Sequence, residues 1–90
     1  MSYSLRLNRH SEKVYNALPL CVQNQLKKSL KALIAYFDGT GSMPDIKKMK
    51  GKYPDVFRLR SGNYRMLFKL GANGIEIIEV IDIISRQKGY

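Results

Sequence analysis

The stretch Val56-Phe57-Arg58-Leu59-Arg60-Ser61-Gly62-Asn63-Tyr64-Arg65-Met66-Leu67-Phe68 decides how this chain folds. Val56, Phe57 and Leu59 read as a short strand, Ser61-Gly62-Asn63 is turn chemistry, and Tyr64, Met66 and Phe68 alternate with Arg65, Leu67 and Lys69. The segment is a β-hairpin whose turns carry polar residues and whose strands carry arginines. Beyond Gly71 to Gly74, the run from Ile75 to Ile84 is almost continuously β-branched. That composition predicts a central strand buried on both faces, closing a three-stranded antiparallel meander.

Upstream the period changes. Tyr3, Leu5 and Leu7 alternate with Ser4 and Arg6, as in a half-buried strand. Ser11 offers an N-cap with Glu12 in the first turn, and Val14, Ala17 and Leu18 follow at helical spacing up to Pro19. A second helix begins near Pro19 and carries Val22, Leu26, Leu30, Leu33 and Phe37 on one stripe, with Lys27, Lys28 and Lys31 off it. Gly39 or Gly41 can supply its left-handed cap. Residues 39–52 hold three glycines, a proline and four lysines, which predicts a loop with at most a helical turn near Pro44 to Met49. The expected fold is α+β: an N-terminal strand, a helical hairpin and a three-stranded antiparallel meander, with both helices on a mostly antiparallel sheet.

At 90 residues the chain has room for one modest core, so residues 1–90 are expected to be a single domain. Sixteen Lys and Arg against seven Asp and Glu leave a net charge of +9, which favours an anionic partner such as nucleic acid or an acidic protein. One cysteine and one histidine exclude a disulfide framework and a zinc site built from those residue types, and no metal or cofactor is expected. With no apolar run of about eighteen residues and no secretion signal, the expected location is the cytoplasm, without membrane association.

The charge is concentrated. Between Lys47 and Arg65 lie Lys47, Lys48, Lys50, Lys52, Arg58, Arg60 and Arg65 with a single acid, Asp55. Arg58 and Arg60 share a strand face, and such a groove neutralises a phosphate backbone; the alternative is a solvated sheet edge kept from aggregating by its charge. Arg65 stands within a packing strand, where a guanidinium needs an anionic partner. Its planar fork fits two phosphate oxygens, and an internal salt bridge to Glu76, Glu79 or Asp82 is the competing reading. Tyr90, after Arg86, can stack on an unpaired base or belong to a frayed tail. No phosphate-binding glycine loop, Ser-His-Asp set or paired carboxylate is present, Cys21 reads as a core thiol, and His10 as a surface residue rather than a base.

The order of elements and the stretch Met49-Lys50-Gly51-Lys52-Tyr53-Pro54-Asp55 running on through Val56 to Phe68 resemble the RelE/ParE superfamily of bacterial toxins. So do Asn8-Arg9-His10-Ser11-Glu12-Lys13 after the opening strand and the ending Ile83-Ile84-Ser85-Arg86-Gln87-Lys88-Gly89-Tyr90. The resemblance implies a RelE-like, microbial-ribonuclease type of fold and one of two activities. RelE-like members are ribosome-dependent endoribonucleases that cut mRNA; ParE-like members poison DNA gyrase without catalysis. Both are silenced by a cognate antitoxin, here expected to be acidic, with a heterotetramer as one possible assembly.

For the ribonuclease, the resemblance matches Arg58 to a basic strand position used in catalysis, Arg65 to the arginine that steadies the scissile phosphate, Arg86 to the arginine near the leaving oxygen and Tyr90 to the base-stacking tyrosine. Lys47, Lys48, Lys50, Lys52 and Arg60 would contact RNA or ribosome. The implied chemistry is metal-free attack of a 2′-hydroxyl on the adjacent phosphate. The chain departs from the family pattern in having no histidine near its C-terminus and no Glu in the loop, which leaves Lys50, Lys52, Asp55 or the ribosome as the base.

Overall fold

The structure is a computed structural model and describes residues 3–49, 56–71 and 77–85. Its elements are β1 (Ser4–Leu7), α1 (Arg9–Ala17), α2 (Leu20–Phe37), β2 (Ile46–Lys48), β3 (Val56–Ser61), β4 (Tyr64–Leu70) and β5 (Ile77–Ser85). They build one five-stranded sheet in the order β1-β5-β4-β3-β2. The expected α+β class holds, and β3, β4 and β5 form the antiparallel meander. Two features differ from the sequence reading. β1 pairs parallel with β5, because the two helices carry the chain from one edge of the sheet to the other before the meander returns. Residues 46–48, expected in a loop, pair antiparallel with Leu59, Arg58 and Phe57. With three residues, two of them exposed lysines, β2 has no hydrophobic period to betray it; the open edge of β3 makes it a strand.

α1 is capped by Asn8 and not by Ser11: Asn8 Oδ1 accepts a 2.8 Å hydrogen bond from the Ser11 backbone N–H, and Ser11 itself is fully buried. The turn between the helices is held by Tyr15 Oη donating to the Gln23 carbonyl at 3.1 Å and Gln23 Nε2 donating to the Leu18 carbonyl at 3.0 Å. α2 ends where Gly39 takes φ +84°, which only glycine adopts cheaply, and Thr40 N–H reaches the Ala35 carbonyl at 2.9 Å.

The predicted stripe of α2 faces the sheet. Leu26, Leu30 and Leu33 are buried against Leu59, Met66, Phe68, Ile78, Val80 and Ile83, each such side chain contributing about 1.5–3 kcal/mol over its exposed state. Phe57 stacks on Phe68 at 5.5 Å between centroids, and Phe37 meets the Phe68 edge at 6.4 Å. The tip of the β3–β4 hairpin is tied to α2 by Gln25 Nε2 donating to the Ser61 carbonyl at 2.9 Å and by the 2.6 Å contact of the Ser29 and Ser61 hydroxyls. Among the described residues no helix is long and apolar enough to cross a membrane.

β5 is an interior strand, second in the sheet after β1, with β4 at the centre, and it is not buried on both faces: Ile78, Val80 and Ile83 are in the core, while Ile77, Ile81 and Ile84 are half-buried on the other side. The step from even to odd numbers marks a bulge. Leu67 pairs with Asp82 and Phe68 with Val80, so Ile81 is an extra residue without a partner on β4. Asn8 serves it from the opposite edge, its backbone N–H bonding the Val80 carbonyl at 3.0 Å and its Nδ2 the Ile81 carbonyl at 3.1 Å. Asn8→Ala removes both the helix cap and the Ile81 bond and is expected to lower unfolding free energy by about 2 kcal/mol. A urea denaturation curve measures this, with a midpoint shift at unchanged slope as the expected outcome.

Candidate nucleic-acid interface

Strand alternation sorts the charges. Leu59, Met66 and Phe68 point at the helices, so Arg58 and Arg60 on β3 and Arg65 on β4 stand on the opposite face of the sheet. Lys47 on β2 lies directly across from Arg58, and Arg65 directly across from Arg60. Four of the residues singled out in the sequence thus form one cationic face over three consecutive strands. Lys48 does not join them: it pairs with Phe57 and occupies the helix side of the sheet edge. Lys50, Lys52, Arg86 and Tyr90 lie outside the described residues.

Like charges placed opposite each other on a sheet repel, by a few tenths of a kcal/mol to about 1 kcal/mol per pair, so this face costs stability rather than adding it. Asp45 compensates in part. Asp45, just before β2, stands 3.9 Å from Arg58 Nη2 through Oδ1 and 3.9 Å from Arg60 Nε through Oδ2. Both contacts are longer than hydrogen bonds and Asp45 is more than half exposed, so each contributes well under about 1 kcal/mol. Arg58 is the costly member. Its side chain is 16% exposed, and its buried Nε finds no hydrogen-bond partner among the described residues. A desolvated guanidinium N–H without an acceptor is destabilising, and the oxygens of a phosphate would satisfy it. Arg65 is half-buried and partnered. Of the three acids considered for it, Glu79 lies 3.6 Å from Arg6, Asp82 bonds His10, and Glu76 is outside the described residues.

Two features of this face were not read from the sequence. Asp45 fell in the supposed loop and became a neighbour of Arg58 and Arg60 only through β2. His10 does lie at the surface, as expected, but it is not isolated: its Nε2 is 2.9 Å from Asp82 Oδ1, a residue 72 positions away. No local pattern could have signalled that contact. Cys21, expected in the core, is exposed. Among the described residues no group of His, Cys, Asp and Glu is arranged to hold a metal ion.

No protein-family model matches the sequence, and no curated protein matches it. Solved structures do match. The RelBE2 toxin–antitoxin complex of Mycobacterium tuberculosis contains a chain similar over 96% of this one and 100% of its own length, with a TM-score of 0.77 at 14% identity. The archaeal RelE–RelB complex of Pyrococcus horikoshii OT3 gives a TM-score of 0.72 at 19% identity, over 99% of this chain and 100% of that one. The E. coli RelBE complex reaches 26% identity with a TM-score of 0.59, over 93% and 96%. Side chains have diverged while the path of the backbone has been kept, and the resemblance seen in residues 49–68 extends to the architecture: this protein has the RelE-like toxin fold.

Proposed function

We propose that the chain, read over residues 1–90 as one domain, is the toxin of a toxin–antitoxin pair and acts as a ribosome-dependent endoribonuclease on mRNA, halting translation. The observation that carries this reading is the cationic face of Lys47, Arg58, Arg60 and Arg65, with Arg58 largely buried and its Nε without an acceptor among the described residues. A face that destabilises the fold is retained when a polyanion offsets its cost.

The chemistry follows from what these side chains can do. Arginines at these positions cannot lose their protons, so they bind the scissile phosphate and stabilise the charge that grows on it as a 2′-hydroxyl attacks. Arg58 and Arg65 hold that phosphate. Arg86 serves the leaving 5′-oxygen and Tyr90 stacks on a base, both by resemblance alone. Lys47 and Arg60, with Lys50 and Lys52 by resemblance alone, contact the surrounding RNA backbone; Lys48, on the helix side of the sheet edge, is not part of that contact. Catalysis here is mostly placement and charge stabilisation, and it needs no metal.

The partner that silences such a surface is an acidic antitoxin, a chain that offsets the +9 charge. The similar structures from M. tuberculosis and E. coli are toxin–antitoxin complexes and that from P. horikoshii is a RelE–RelB complex, which supports this assignment. So does an apolar groove of ≈ 350 Å³ between β1 and the helices, lined by Leu5, Leu7, Tyr15 and Leu30, which suits an amphipathic segment.

Induction in a bacterial host is expected to yield fragmented mRNA at translated sites and intact chromosomal DNA; DNA double-strand breaks without mRNA fragments would instead make the protein a gyrase poison of the ParE kind. Arg65→Ala, checked for folding by circular dichroism, should cut mRNA on ribosomes about a hundredfold or more slowly while still binding them. Binding to ribosomes should fall steeply with salt. Removing Lys47 should flatten the log–log slope by about 0.7 to 0.9, whereas a salt-independent affinity would mean an ordinary protein interface.

A further inference from the structure

In a regular strand Asp82 would follow Ile78 and Val80 into the core. The extra residue Ile81 reverses the alternation, so Ile83 takes the core position and Asp82 comes out on the face of Arg58 and Arg65. Bulges are a recurrent device for re-aiming a side chain next to a functional site. There Asp82 Oδ1 accepts two hydrogen bonds, from the Ile83 backbone N–H at 2.8 Å and from His10 Nε2 at 2.9 Å. His10 is in the first turn of α1, which starts directly past the end of β1, where the pairing of β1 with β5 stops at Val80 and Asn8 and His10 reach Ile81 and Asp82. Register sets Asp82, Leu67, Arg58 and Lys47 in one row across the sheet, and Ile84, Arg65 and Arg60 in the next. With strands about 4.8 Å apart, Asp82 is one strand from Arg65 and two from Arg58.

A carboxylate can only accept hydrogen bonds, so Asp82 holds a proton on Nε2 of the neutral imidazole and leaves Nδ1 as the acceptor. The His10 side chain is 62% exposed, which leaves the ring accessible to a bound strand. The arginines of the same face have no lone pair to offer and can bind a phosphate without taking a proton.

We propose that His10, oriented by Asp82, is the proton acceptor for strand cleavage, a proposal that rests on the endoribonuclease reading above. His10 Nδ1 takes the proton of the attacking 2′-hydroxyl as the 2′-oxygen bonds to phosphorus. The bond from phosphorus to the 5′-oxygen breaks with its electron pair on that oxygen, which water protonates. The products are a 2′,3′-cyclic phosphate and a 5′-hydroxyl, and the imidazolium returns its proton to solvent.

The test is single-turnover cleavage of end-labelled mRNA on programmed ribosomes. A wild-type protein that does not cut overturns the endoribonuclease reading itself, whatever His10 does. If it cuts, His10→Ala should lower the saturating rate by about a hundredfold or more and leave the half-saturating concentration within about twofold. Added imidazole should restore at least about tenfold of that loss, which a merely structural histidine would not show. Asp82→Asn should slow cleavage by about tenfold or more without responding to imidazole, and it provides an independent readout should His10→Ala fold poorly. A folded His10→Ala protein that cuts within about threefold of wild type overturns the proposal. So does a loss confined to the half-saturating concentration, or one that imidazole leaves unchanged.

Discussion

One residue of β5 without a partner on β4 organises much of this molecule. Ile81 shifts the pairing of β5 on β4, so that Ile78 and Val80 before it and Ile83 after it all reach the same core. A regular strand here would bury Asp82 beneath the helices, at a cost of several kcal/mol for a carboxylate without a partner. The bulge leaves carbonyls that need donors, and Asn8 supplies them from the end of β1 while capping α1 with the same side chain. The start of α1, the parallel pairing of β1 and the outward course of Asp82 are therefore one linked arrangement.

The two faces of the sheet obey opposite economies. On the helix side, Leu26, Leu30 and Leu33 close over Leu59, Met66 and Phe68, with an aromatic group of Phe37, Phe57 and Phe68 filling one end. On the other side, cations face cations across strand pairs, with Asp45 distant and mostly solvated beside Arg58 and Arg60 and Asp82 brought out one strand from Arg65. The first face supplies the stability that the second consumes. This division lets a small chain carry a cationic surface on its sheet, where strand register sets the spacing of the guanidinium groups.

Much of the architecture was legible because it is written in local periods. The α2 stripe, the hairpin around Gly62 and the alternation of Tyr64, Met66 and Phe68 each appear within a dozen residues, and each took its expected form. β2 was not legible, since a three-residue edge strand owes its existence to the open side of β3 and not to its own composition. The capping residue of α1 was misplaced by three positions for a related reason: Ser11 has the right chemistry for a cap, but the bulge of β5 draws Asn8 into that role and buries Ser11.

The candidate site divides along the same line. Sequence by itself determined the class of fold, the concentration of Lys47, Arg58, Arg60 and Arg65, and the sharing of a face by Arg58 and Arg60, because charge composition and a period of two are local properties. Only the tertiary structure decided that Lys48 turns away, that Asp45 comes to the arginines, and that His10 meets Asp82 across 72 residues. Those outcomes depend on strand register and on a single bulge, which are settled by the balance of core packing and backbone hydrogen bonding over the whole sheet and leave no mark on neighbouring positions in the chain.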